Sequence, residues 1–179
     1  HVTVEDYMAP YLEREYLEGG RWKGRLASRL LITDPKRKRA VLSNTPIALF
    51  DGEIDSLETL RPVVELLTRQ EHDKLALIAR KIKGEALQAL VANHQQENLA
   101  VVAAEIIRPG DKGVADLEDL AALTGAQVLG GLLGQSLRRI NPDALGRAQR
   151  VEADAETLTV VGDASQNVAL REQIATLRG

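Results

Sequence analysis

The segment KLALIARKIKGEALQALVANHQQENLAVVAA, residues 74–104, carries the pattern that decides the fold class. Two short apolar runs at its ends, 74–79 and 99–104, have the length and composition of buried strands. Between them, apolar side chains recur at helical spacing from about residue 84 to residue 94. A strand, a helix and a second strand in this order predict a βαβ unit of a parallel sheet.

The same alternation of apolar runs and helical patterns continues on both sides of this unit. Further strands are predicted over residues 26–32, 46–50, 127–129 and 157–161. Further helices are predicted over residues 56–70, 114–123 and 166–177, and from Asn141-Pro142 onward. We therefore predict an α/β fold in which helices flank a central, mainly parallel sheet.

The two ends of the chain suggest how it is divided. The chain opens at His1 rather than at Met, so we expect a piece of a longer protein. Residues 1–20 have no clean period and are predicted to be a connector from a neighbouring domain or a flexible N-terminal segment. Residues 21–179 are then the folded domain.

Composition argues against several classes of function. The 179 residues carry a net charge of −3, which does not favour binding to nucleic acid or to an anionic membrane surface. The absence of cysteine excludes disulfides and thiolate chemistry, and it is typical of a protein in the reducing cytoplasm. No apolar stretch approaches the roughly 18 residues that a membrane-spanning helix needs.

The residues that catalysis needs are not grouped in the sequence. His1 is terminal, and neither His72 nor His94 has a second ligand at metal-binding spacing or the neighbours of a phosphohistidine loop. Residues 130–134 are rich in glycine but lack the Lys-Ser/Thr pair of a phosphate loop. A small α/β enzyme is therefore a minor alternative, and we predict no catalytic residue, metal ligand or cofactor in this chain.

Four longer segments are more specific than composition. DALGRAQRV at 143–151 resembles the DLGxAKRV segment of the group I chaperonins, the GroEL family, and ETLTVVGD at 156–163 resembles the TTTIIDG strand that follows it. KGEALQALVAN at 83–93 is similar to the family's EGEALATLVVN helix, and LEDLAALTGAQV at 117–128 to its LxDIAxLTGGxVI segment. The matches follow the family order over about residues 15–178.

This resemblance implies that residues 21–179 form the apical, substrate-binding domain of a chaperonin, a swivelling β/α domain. Such a domain binds non-native polypeptides and the mobile loop of a co-chaperonin similar to GroES. ATP and Mg²⁺ would bind to an equatorial domain outside this chain, and the parent protein would be a cytoplasmic ring of identical subunits. The chain itself would have no enzymatic activity.

The resemblance also implies a groove between the helices at 56–70 and 84–94, flanked by an extended segment at 26–31. By position, the polypeptide-binding residues would be Leu26, Ser28, Leu30, Leu31, Arg61, Val64, Leu87, Val91 and Ala92. The other interpretation of Leu87 and Val91 is that they face the core, as Leu90 is expected to.

Departures from the family pattern alter this groove. Leu26, Leu30 and Leu31 stand where the family has Tyr and Phe, and Ala92 stands where it has Val. Arg61 replaces the usual Leu. The predicted groove is therefore smaller, less aromatic and more positive, which keeps a second hypothesis open: a degenerate chaperonin-like domain that serves ring assembly or scaffolding, with reduced client binding.

Overall fold

The structure, a computed structural model, describes residues 19–130 and 140–163. The strands in this part of the chain are β1 (Gly19–Leu26), β2 (Ala40–Ile54), β3 (Lys74–Ile82), β4 (Ala100–Ile106), β5 (Val128–Gly130), β6 (Gly146–Ala153) and β7 (Thr157–Gly162). The helices are α1 (Leu57–Arg69), α2 (Gly84–Gln95) and α3 (Gly110–Thr124), and two short 3-10 turns cover Arg29–Leu31 and Pro142–Ala144.

Six of these strands close into a barrel because the long strand β2 pairs with two partners. It is antiparallel to β6 from Ala40 to Ile47 and parallel to β3 from Ile47 to Ile54. The ring runs β2, β3, β4, β1, β7, β6 and returns to β2. The β2–β3 and β3–β4 pairs are parallel and the other four are antiparallel, so the barrel is mixed. Strand β5 adds to β2 outside this ring.

The prediction of a central sheet flanked by helices, as expected for an apical domain, is therefore wrong. The predicted βαβ unit is present as β3, α2 and β4, but its sheet continues through the antiparallel strands β1, β7 and β6 until it meets β2 again. A closed sheet has one face turned inward, and side chains fill that interior. Helices α1 and α2 pack outside the barrel, next to β2, β3 and β4.

Two strands that sequence reasoning missed account for the closure. The segment 26–32 was predicted as a strand, but β1 ends at Leu26 and residues 29–31 form a 3-10 turn. The helix predicted from Asn141 onward is also wrong: Asn141 caps a single 3-10 turn, and β6 follows. The predicted helix at 166–177 and most of the predicted connector at 1–20 lie outside the described residues.

The core has two layers that share the strands β2, β3 and β4. The interior layer consists of the side chains on one face of these strands and the inward-facing side chains of β6 and β7. Leu117 and Leu120 of helix α3 also belong to it. The outer layer consists of the side chains on the opposite face of β2, β3 and β4, which pack against α1 and α2. Strands β3 and β4 are consequently buried on both faces, which explains why they read as continuous apolar runs.

Helix α1 begins and ends as predicted. The Ser56 hydroxyl accepts a hydrogen bond from the backbone N–H of Thr59, at 3.1 Å, and so caps the helix. Pro62 lies inside the helix, but Leu60, Val63, Leu66 and Leu67 still form one buried stripe against the outer core layer and the barrel. The opposite side of the helix stays exposed to solvent.

A buried carboxylate connects three strands of the barrel. Glu105 of β4 accepts a hydrogen bond from the guanidinium of Arg25 on β1, at 2.7 Å, and another from the backbone N–H of Ile82 on β3, at 2.9 Å. Its side chain is almost completely buried, whereas that of Arg25 is about half exposed. The bond to Ile82 is therefore the more important one, because a buried N–H left without an acceptor is costly.

We expect Glu105→Ala to lower the free energy of unfolding by about 1–3 kcal/mol, because the Ile82 N–H would lose its acceptor. Urea denaturation followed by circular dichroism measures this change. The control is Glu118→Ala, an exposed position on α3, which should change stability by less than about 0.5 kcal/mol. Equal effects of the two substitutions would contradict the role assigned to Glu105.

Candidate functional site

The first candidate surface is a groove between α1 and α2, here called the inter-helix groove. It encloses about 500 Å³. Leu60, Leu67 and Leu90 are buried in its floor, and Leu57 and Val64 form an exposed wall on α1. Its lining also includes the charged or polar side chains Arg61, Glu65, Thr68, His72, Asn93 and Asn98.

The second candidate surface lies on the other side of α2, between that helix and the turn Arg29–Leu31, and is here called the turn groove. It encloses about 350 Å³, and none of the described residues that line it is charged. The Ser28 hydroxyl accepts a hydrogen bond from the backbone N–H of Leu30, at 3.1 Å, and caps the turn. This conformation buries Leu31 in the core and leaves Leu30 60% exposed at the rim of the groove.

The structure divides the predicted binding residues between these two grooves. Those on α1 line the inter-helix groove, and those on α2 and at the turn line the turn groove. The first set is Arg61 and Val64. The second set is Ser28, Leu30, Leu87, Val91 and Ala92.

Two of the predicted binding residues line neither groove. Leu31 is completely buried, and Leu26 is partly buried against both core layers. Val91 is an intermediate case, because it is only 8% exposed yet borders the turn groove. Leu90 is buried, as expected, and its side chain contributes to the floor of the inter-helix groove.

Leu57 lines the inter-helix groove but is not among the binding residues predicted from sequence. It is the first residue of α1 and is 47% exposed, on the same wall as Val64, which is 37% exposed. The signal for its exposure in the sequence is its position in the first turn of α1. A side chain there can extend beyond the core that the later apolar residues of the helix cover. Periodicity alone does not distinguish these two environments.

His72 lies at the end of the inter-helix groove, just after α1. Burial of its imidazole lowers the pKa of His72, and the positive charge of Arg147 lowers it further, against a smaller opposing effect of Asp73. The neutral ring is thus favoured in the folded protein. A neutral imidazole adds no charge to this end of the groove.

The lowered pKa of His72 predicts a dependence of stability on pH. The folded state binds this proton more weakly than the unfolded state, so the contribution to stability is fully present above the unfolded pKa of about 6.5. It is lost as the pH falls through that value toward the folded pKa. Between about pH 7 and pH 5, the urea midpoint should therefore fall more steeply for the parent than for His72→Gln. Parallel curves would show that His72 contributes nothing.

The chemistry available at these grooves is burial of apolar surface. Within residues 19–130 and 140–163, no three His, Cys, Asp or Glu side chains are grouped so that they could hold a metal ion. None of the helices in the same ranges has both the length and the apolar composition to cross a membrane. The hydrophobic effect that acts in an apolar groove is not directional, so such a surface accepts segments of many different sequences.

Comparison with known proteins identifies the fold. No protein-family model matches the chain. Among solved structures, it is similar to the chaperonin gp146 from the bacteriophage EL 2 (Pseudomonas aeruginosa), crystallised in the presence of ATP-BeFx. The TM-score is 0.60 at 18% sequence identity, over 89% of this chain and 32% of the phage protein. The chain thus has a chaperonin-like fold and spans about a third of the length of that chaperonin.

Proposed function

We propose that this chain binds apolar segments of non-native polypeptides, as the client-binding part of a larger chaperonin. The observation that carries the proposal is the position of its exposed apolar side chains. Five large apolar side chains are exposed among the described residues, and three of them, Leu30, Leu57 and Val64, line the two grooves beside α2. Exposed apolar surface concentrated in this way is typical of an interaction site.

The proposed affinity of one domain is modest. Complete burial of a Leu or Val side chain contributes about 1.5–3 kcal/mol, and a bound segment would cover each exposed side chain only in part. Association entropy offsets much of this gain. A ring of identical subunits, as the resemblance to chaperonins implies, would compensate through multivalency, because one unfolded chain can contact several domains at once.

The other partners belong to the same proposal. A co-chaperonin loop that carries apolar residues would compete for the grooves that clients use. ATP and Mg²⁺ would act on a different part of the longer protein, since none of the described residues that line the grooves belongs to a phosphate-binding loop. The chain would then act by binding alone, in the cytoplasm, without catalysis of its own.

The proposal predicts that the chain slows the aggregation of a chemically denatured client in the absence of ATP. Val64→Asp and Leu30→Asp should each raise the concentration needed for half-suppression by about five- to tenfold, because each places a charge on an apolar wall. Light scattering during dilution of the client from denaturant measures this. The two variants also report separately on the inter-helix groove and the turn groove.

The matched control is Val114→Asp on α3. Val114 is 36% exposed, nearly the same as Val64, but lies on a helix that packs with the interior core layer and lines neither groove. It should suppress aggregation like the parent. Equal suppression by the parent and both groove variants, with folding intact by circular dichroism, would contradict the assignment of client binding to the grooves. Failure of the parent itself to suppress aggregation would favour the scaffold alternative.

A further inference from the structure

Arg61 occupies the centre of the apolar wall of the inter-helix groove. Leu57 precedes it by four residues and Val64 follows it by three, and these are the spacings at which side chains on a helix are neighbours. All three side chains are exposed and all three line the groove. A segment that covers both Leu57 and Val64 must therefore also cover Arg61.

The guanidinium of Arg61 has no ion-pair partner in the part of the chain that the structure describes. Glu65, one turn further along α1, also lines the groove, but no ion pair joins it to Arg61. Four arginines on or next to the barrel strands contrast with this: Arg25, Arg39, Arg80 and Arg108 are each paired with a carboxylate. As far as the described residues go, Arg61 thus presents a guanidinium without an ion pair beside the apolar side chains of Leu57 and Val64.

We infer that Arg61 determines specificity at this groove and selects client segments that carry an acidic residue between apolar ones. The inference rests on the proposed function and names its substrate class. An entirely apolar segment would remove water from the guanidinium of Arg61 without supplying a hydrogen-bond partner, and this desolvation lowers the binding affinity. A carboxylate at that point in the segment would supply the partner and form a charge-assisted hydrogen bond.

The turn groove provides an internal contrast. Its lining has no charged side chain, and its polar members are Ser28, Gln88 and Gln95. None of these described lining residues carries a charge that would distinguish an acidic from a neutral segment of the same apolar content. The preference for acidic segments is therefore confined to the groove between α1 and α2, and it disappears when Arg61 loses its charge.

Fluorescence anisotropy with three labelled synthetic peptides tests the inference. The peptides share one apolar sequence and carry Asp, Asn or Lys at a central position. The parent should bind the Asp peptide about three- to tenfold more tightly than the Asn peptide and the Lys peptide most weakly, and the Asp–Asn difference should shrink in high salt. Arg61→Leu should bind the Asn peptide at least as tightly as the Asp peptide.

Two further variants separate Arg61 from the general charge of α1. Arg69→Leu removes an exposed arginine of the same helix that does not line the groove, and it should keep the preference. Glu65→Gln removes the nearby negative charge and should tighten binding of the Asp peptide. Equal binding of Asp and Asn peptides by the parent, or loss of the preference in Arg69→Leu, would overturn the assignment to Arg61. Failure of all three peptides to bind would instead count against the proposed function.

Discussion

Closure of the barrel by β2 is the constraint on which the rest of the structure depends. This one strand bonds to β6 along its first half and to β3 along its second, and so joins the parallel and antiparallel parts of the sheet. A closed sheet has no free edge in its ring and encloses an apolar interior. The side chains of β2, β3 and β4 that point the other way then need a second covering, which α1 and α2 provide.

Within the described part of the chain that second covering is incomplete, and the candidate site is a consequence. Two helices placed side by side on a curved surface bury the stripes that face the barrel but leave their outer flanks open. Leu60 and Leu67 are buried on one side of α1, while Leu57 and Val64 remain exposed on its flank. On the far side of α2, the short turn after β1 supplies Leu30 in place of a third helix. The grooves therefore arise from how the outer layer is built.

The local elements were predictable from sequence where packing and propensity agree. Strands β3 and β4 were predicted correctly because burial on both faces makes them continuous apolar runs. Helix α1 was predicted correctly because Ser56 is a recognisable N-cap. Strand β6 was not predictable, because a register shift near Ala148 breaks its alternation and its inward residues include Gly146 and Ala148. Ala favours a helix and Gly disfavours both helix and strand, so these residues give no local signal for a strand.

The candidate site was predictable as a set of residues but not as a shape. Seven of the nine predicted side chains line one of the grooves, whereas Leu31 and Leu26 contribute to the core. The 3-10 turn at Arg29–Leu31 buries Leu31 and leaves Leu30 60% exposed. A strand would also place these adjacent leucines on opposite faces, so alternation alone does not decide which of the two faces the core. No periodicity in three residues encodes that choice.

Helix α2 gives the site its particular character, because it forms a wall of both grooves. Ala89 and Leu90 face α1, while Leu87, Val91 and Ala92 face the turn. Apolar residues on two sides make this helix less amphipathic than α1, whose polar and apolar faces are well separated. A helix with that pattern is usually enclosed on all sides. Among the described residues, the barrel encloses only the inner face of this helix, and under the proposed function a bound polypeptide would cover its flanks.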